Sequence, residues 1–155
     1  MKIILERARE KDAERIYEMQ KQAFLELLLK YRDYDTSPAG EPLSRTAERL
    51  RENNTYFYFI LSDGETVGAI RIVDDKDEHK PKRISPLFVL PRFRRRGIAA
   101  LAIAEVEKIH GSSNWMLETI LEEEGNCRLY EKAGYAQSGE KRRINDKMTL
   151  VIYRK

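Results

Sequence analysis

The stretch from Ile84 to His110, ISPLFVLPRFRRRGIAALAIAEVEKIH, constrains the fold more than any other. An apolar run, Ile84 to Leu90, stops at Pro91, and a basic turn, Arg92-Phe93-Arg94-Arg95-Arg96, follows. After Gly97, apolar residues recur at helical spacing: Ile98, Leu101, Ile103, Ala104, Val106 and Ile109. Strand, glycine-containing cationic turn and helix together make a device for holding a polyanion. The first amides of a helix have no partner within it, and they carry the positive end of its dipole, so phosphate binds there. Gly97 lets backbone approach a ligand closely, and arginines add charge-assisted contacts. A charged, solvated turn in an unrelated α/β protein is the competing reading.

The rest of the chain supplies strands and helices around this unit. Lys2 to Arg7 reads as a first strand. Asp12 can cap a helix whose inner face holds Ile16, Met19, Ala23, Phe24, Leu27 and Leu28, a stripe read as core without a functional role. Tyr31 to Pro42 is a loop, and Ser44 can cap a short second helix reaching about Asn53. Thr55 to Leu61 and Thr66 to Val73 are strands joined at Asp63-Gly64, a strong hairpin signal. Asp74 to Lys82 is a charged connection in which His79 is expected to be solvated. Beyond the central helix come a strand at Trp115 to Leu121, a helix at Asn126 to Lys132 ended by Gly134, a strand from Tyr135 to Ser138, and a last strand at Met148 to Tyr153.

Composition narrows the function. At 155 residues, one domain spanning 1–155 with a real core is expected. A net charge of +3 does not imply general nucleic-acid affinity: the basic residues cluster in one turn, and no aromatic platform accompanies them. No run is long enough to span a membrane, and the N-terminus turns charged too early for a secretory signal. One cysteine, Cys127, excludes an internal disulfide, and a cytoplasmic protein is the simplest expectation. No metal site is expected.

Within the basic turn, Arg94-x-x-Gly97-x-Ala99 resembles the Q/R-x-x-G-x-G/A acyl-CoA signature of the GNAT superfamily of N-acetyltransferases. Leu129-Tyr130-Glu131-Lys132-Ala133-Gly134-Tyr135 is similar to the L-Y-E-K-x-G-[FY] ending of the same family's core, and is the more specific of the two. The element order also resembles that fold over nearly the whole chain. The resemblance implies an α/β (α+β) GNAT fold with a mixed central sheet of about six to seven strands, splayed fourth and fifth strands and about four helices. It implies acetyl-CoA as cosubstrate and transfer of its acetyl group to a primary amine by direct attack through a tetrahedral intermediate. A GNAT-fold module that binds acyl-CoA without turnover is the alternative. Members of the family often dimerise, and a homodimer is compatible with the sequence.

The resemblance also implies site residues. Backbone amides of Arg95, Arg96, Gly97, Ile98, Ala99 and Ala100, with Arg94, would cradle the diphosphate. Leu87, Phe88 and Val89 would meet the pantetheine arm and supply an oxyanion donor. Tyr130 is the expected acid for the leaving thiolate, because a phenol stays protonated at neutral pH; a Tyr that only packs near the sulfur is the other reading. Ile84 to Leu90 lacks the acid that many members carry on the fourth strand, so Glu118 is the expected base. Its spacing to Tyr130 resembles the base-and-acid pair of GNAT enzymes acting on ribosomal-protein N-termini. A surface charge or a water relay remain open for it. Where many members have an Asn seven residues before the tyrosine, this chain has Glu123; Asn126 could cap the helix, contact CoA, or both. Asp33, Tyr34 and Asp35, in the loop that lines the acceptor pocket in the family, could meet a cationic amine. Cys127 is expected to be a small buried residue.

Overall fold

In the computed structural model, which describes residues 1–155, seven strands form one mixed sheet; in sheet order they are β1 (Ile3–Arg7), β2 (Thr55–Ser62), β3 (Glu65–Val73), β4 (Lys82–Val89), β5 (Trp115–Ile120), β7 (Thr149–Arg154) and β6 (Ala136–Arg143). The first four pair antiparallel in that order. The β2–β3 hairpin turns at Asp63 and Gly64, both at positive φ (50° and 86°), the geometry of a tight hairpin loop. Phe57, Phe59 and Ile60 on β2 are fully buried, and each such side chain contributes roughly 1.5–3 kcal/mol of apolar burial.

Four α-helices cover the sheet: α1 (Ala13–Tyr31), α2 (Leu43–Arg51), α3 (Ile98–His110) and α4 (Glu124–Lys132). Helix α1 packs on α2 and β4, and α3 packs on β1, β4 and α4. Strand β5 lies between β4 and β7, and β6 forms the far edge. One cluster of buried side chains runs from Ile16 on α1 through the sheet to Tyr130 and Tyr153. No helix is long and apolar enough to cross a membrane.

The pairing of β4 with β5 shapes the molecule. It is parallel and covers only Lys82 with Trp115 and Arg83 with Met116. At that point β4 carries a bulge: Ile72 faces Ile84 and Ile70 faces Leu87, so β4 has an extra residue. A bulge bends its strand and increases its twist, and from Ile84 onward β4 has no strand partner on its β5 side. The opening between the two strands is the expected splay.

Three local readings are corrected. Helix α2 begins at Leu43 with Pro42 in the N-cap position, so Ser44 is inside the helix and caps nothing. Helix α4 begins at Glu124, with Glu123 as its N-cap residue; Asn126 is therefore not its cap. Strand β6 runs on to Arg143 instead of ending near Ser138, with every residue exposed.

Candidate active site

The start of α3 is open. Gly97 is its N-cap residue at φ 78°, and no side chain caps the helix. A Cβ added at Gly97 would meet nothing within 4 Å, so this glycine is required by the left-handed backbone and by nothing packed against it. Arg95 is also left-handed, at φ 64°. A cavity of about 550 Å³ lies here, lined by Arg94, Arg95, Gly97, Ile98, Ala99 and Ala100 from the turn and helix, and by Leu87, Phe88 and Val89 from the free end of β4. Asn126, Leu129 and Tyr130 of α4 form the other wall.

The arginines of the turn divide their work. Arg94 donates from Nε to the Val89 carbonyl at 3.0 Å and from Nη2 to the Ala23 carbonyl at 2.5 Å. It straps α1 to the end of β4, and its side chain is not a free phosphate ligand. Arg96 does not line the cavity; it donates to the Arg92 carbonyl at 3.4 Å and lies 5.7 Å from the Phe93 ring centroid. Arg95 lines the cavity with no ion-pair partner.

A second cavity, of about 220 Å³, occupies the splay between β4 and β5. Phe24, Leu27, Leu87, Asn126 and Tyr130 line both cavities, so the two meet along these side chains. The apolar stripe of α1 is therefore not only core: Phe24 and Leu27 form a shared wall, and Phe24 meets Phe88 edge-to-face at 5.7 Å.

Tyr130 sits at the meeting point, 9% exposed. Burial pushes its phenol up to about 12, with nearby Cys127 adding to the shift and no hydrogen bond contributing. It is fully protonated at neutral pH. The Tyr135 and Tyr153 rings stand 6.2 and 6.1 Å from it. The Tyr135 hydroxyl is sealed in the protein without a partner, whereas Tyr130 borders open space on two sides. Cys127 is buried, its thiol directed at the Ile120 and Leu121 carbonyls.

Glu118 lines the same small cavity as Tyr130. Its carboxylate accepts from Arg142 Nη2 at 3.1 Å, and its side chain is 30% exposed. Asn126 lines both cavities. Of the three loop residues expected near an amine, only Asp33 reaches the cavity. It is buried, and its carboxylate accepts from the backbone N–H of Thr36 at 2.9 Å and from the Thr36 hydroxyl. Tyr34 is 64% exposed and Asp35 is also exposed; neither lines a cavity. The local turn closed by Asp33 and Thr36 directs these two outward.

Four contributors escape the sequence reading. Arg83 and Arg142 line the small cavity, but lie in strands whose polar residues carry no motif. Tyr31 and Lys30, at the end of α1, both hydrogen-bond Glu123, at 2.5 and 2.8 Å. Glu123 lines the large cavity, yet its carboxylate is engaged by α1. Burial alone would raise that carboxyl; the hydrogen bonds from Lys30 and Tyr31 outweigh it and hold it below its ordinary value.

An open helix start and a split sheet meet at one tyrosine. Residues 13–135 match the model of the acetyltransferase (GNAT) family, and the chain belongs to that family. No curated protein matches it by sequence. Among solved structures, it resembles a spermidine N-acetyltransferase from Vibrio cholerae in complex with CoA and spermine, at 14% identity and a TM-score of 0.74, covering 97% of this chain and 93% of that one. It also resembles the microcin C7 self-immunity acetyltransferase in complex with acetyl-CoA and AMP (16% identity, TM-score 0.72, covering 97% and 90%). An acetyltransferase from Thermus thermophilus is similar at 13% identity and a TM-score of 0.72, covering 99% and 96%.

Proposed function

We propose that this protein is an N-acetyltransferase that moves the acetyl group of acetyl-CoA onto a primary amine by direct attack. The observation that carries the reading is the meeting of two cavities at Tyr130, one under the open start of α3 and one in the splay between β4 and β5. The residues present fit acetyl-CoA. Uncapped amides of Ile98, Ala99 and Ala100, with Arg95 beside them, suit a diphosphate. The unpaired side of β4 at Leu87, Phe88 and Val89 offers backbone groups to an extended amide-bearing arm and a donor to a carbonyl oxygen.

When bound, acetyl-CoA supplies an activated acyl thioester. Tyr130 holds a proton at neutral pH and gives it to the departing sulfur. An ordinary thiol titrates near 8.5, below the phenol. The desolvation that raises the phenol also raises a thiolate leaving in the same place, which narrows the gap. Glu118, directly or through a water, takes the proton of the amine, with Arg142 fixing its carboxylate. Asn126, at the junction, offers an amide to either substrate.

Isothermal titration with acetyl-CoA tests the first half, and CoA release across a broad amine panel tests the second. Saturable binding at one site and turnover of at least one amine class are expected. The absence of binding heat at millimolar acetyl-CoA, with the protein folded, would contradict the proposal.

A further inference from the structure

The acceptor cavity is not acidic. It is lined by two carboxylates, Asp33 and Glu118, and two guanidiniums, Arg83 and Arg142. Both carboxylates are engaged: Glu118 by Arg142 at 3.1 Å, and Asp33 by the N–H and hydroxyl of Thr36. Arg83 is exposed, and no carboxylate lies within ion-pairing distance of it. It leaves the sheet beside the last β4–β5 pair, Arg83 with Met116, where the opening begins.

A second cation stands behind the same wall. Arg71 on β3 is 7% exposed and donates from Nε to the carbonyl of Ser85, a residue of the cavity lining. Burial lowers its pKa to about 9, and the neighbouring cations Arg49 and Arg83 act in the same direction against Glu52 and Glu41, so it remains charged at neutral pH. Glu41 is held by Arg49 at 2.6 Å. Arg83 on β4 thus presents positive charge to the cavity with no carboxylate partner, and Arg71 adds a second cation behind Ser85, outside the lining. Placing a polyamine there would bring further cations toward Arg83 and Arg71 and leave Asp33 and Glu118 to be won from existing bonds. An anionic group would meet a free guanidinium, which takes carboxylates by paired N–H donors.

We infer that the acceptor is a small primary amine that also carries a carboxylate, of the α-amino acid class, with Arg83 binding the carboxylate while the amine faces Tyr130. The size agrees: at about 220 Å³ the cavity lies below the roughly 300–1,000 Å³ usual for drug-sized ligands, which suits a small acceptor. This inference rests on the proposed acetyl transfer only for the role of the amine; recognition of the carboxylate is separable from it.

The test is calorimetric binding of the α-amino acids, each against its own α-carboxamide, with spermidine as the polycationic reference. Each is titrated into the protein alone and into the protein saturated with CoA. At least one acid binds tenfold or more tightly than its amide and than spermidine. Arg83→Gln removes that difference, and Arg83→Lys restores part of it. Equal binding of every acid and amide, tighter binding of spermidine, or an Arg83→Gln variant that keeps the preference would overturn the inference. Because the readout is binding, loss of acetyl-CoA turnover would count against the acetyltransferase proposal and leave the acid-to-amide ratio to decide this one.

Discussion

The Tyr31 hydroxyl donates to the Glu123 carboxylate at 2.5 Å, joining residues 92 apart in sequence. The contact ties the last turn of α1 to the residue that caps α4, and Lys30 reinforces it at 2.8 Å. Helix α1 contributes Phe24 and Leu27 to the shared wall and α4 contributes Asn126 and Tyr130. The latch therefore fixes the separation of the two helices that face each other across the site.

Removing it with Tyr31→Phe is expected to cost about 1.5–3 kcal/mol at neutral pH, the usual net worth of a hydrogen bond to a charged group. Because the Glu123 carboxyl is held below its ordinary value of 4.5, its contribution is present above that pH and is lost as pH falls through the lower folded value. Denaturant unfolding of wild type and variant at pH 7 and near pH 3.5 checks this. The difference between the two proteins should shrink at the lower pH.

A second buried network predicts acid sensitivity at a higher pH. His110, at the end of α3, lies between Asp74 at 2.9 Å and Tyr58 at 2.8 Å, with its side chain 1% exposed. A carboxylate only accepts, so Nδ1–H donates to Asp74 and Nε2 accepts from the Tyr58 hydroxyl. Burial lowers the histidine below its ordinary 6.5, against the opposing pull of Asp74. The native state thus holds a neutral imidazole, while the unfolded chain takes up a proton near 6.5. Stability is full above that pH and falls as pH drops through the window below it. Unfolding free energies measured from pH 8 to pH 5 should decline below about 6.5, and His110→Gln should flatten that decline while lowering stability overall.

Gly97→Ala separates backbone conformation from packing. The new methyl has open space around it, so the stability cost is only that of a left-handed alanine, about 1 kcal/mol. The turn that aims the α3 amides is strained by the same change, and acetyl-CoA affinity should fall tenfold or more. Thermal unfolding and titration calorimetry on the same preparation read both effects; unchanged affinity would remove the open helix start from the account.

Legibility in the sequence follows the strength of local signals. The strand, basic turn and helix at Ile84–His110 and the hairpin at Asp63-Gly64 are legible because period, glycine and proline all agree there. Strand β6 reads too short because an edge strand with no buried face, AQSGEKRR, has no apolar alternation to reveal it. The site is less legible than the fold. Arg94 reads as a phosphate ligand by position, yet its guanidinium is taken by the Val89 and Ala23 carbonyls, a bond to a helix 71 residues earlier that no local pattern encodes. Asp33 reads as an amine contact and Glu118 as a base; a local turn gives Asp33 to Thr36, three residues on, and only the fold brings Arg142, 24 residues away, to Glu118. His79 stands out in its charged loop, whereas His110, the buried one, gives no local signal. Its partners, Tyr58 and Asp74, are 52 and 36 residues away.

The most direct test of the account is single-turnover acetyl transfer by Tyr130→Phe, measured beside its acetyl-CoA affinity. Phenylalanine keeps the ring that packs near Tyr135 and Tyr153 and removes only the hydroxyl with its proton. The predicted result is a rate lower by about 10²-fold or more, the scale of a lost general acid, with acetyl-CoA affinity within about twofold of wild type. An unchanged transfer rate at unchanged affinity would contradict it.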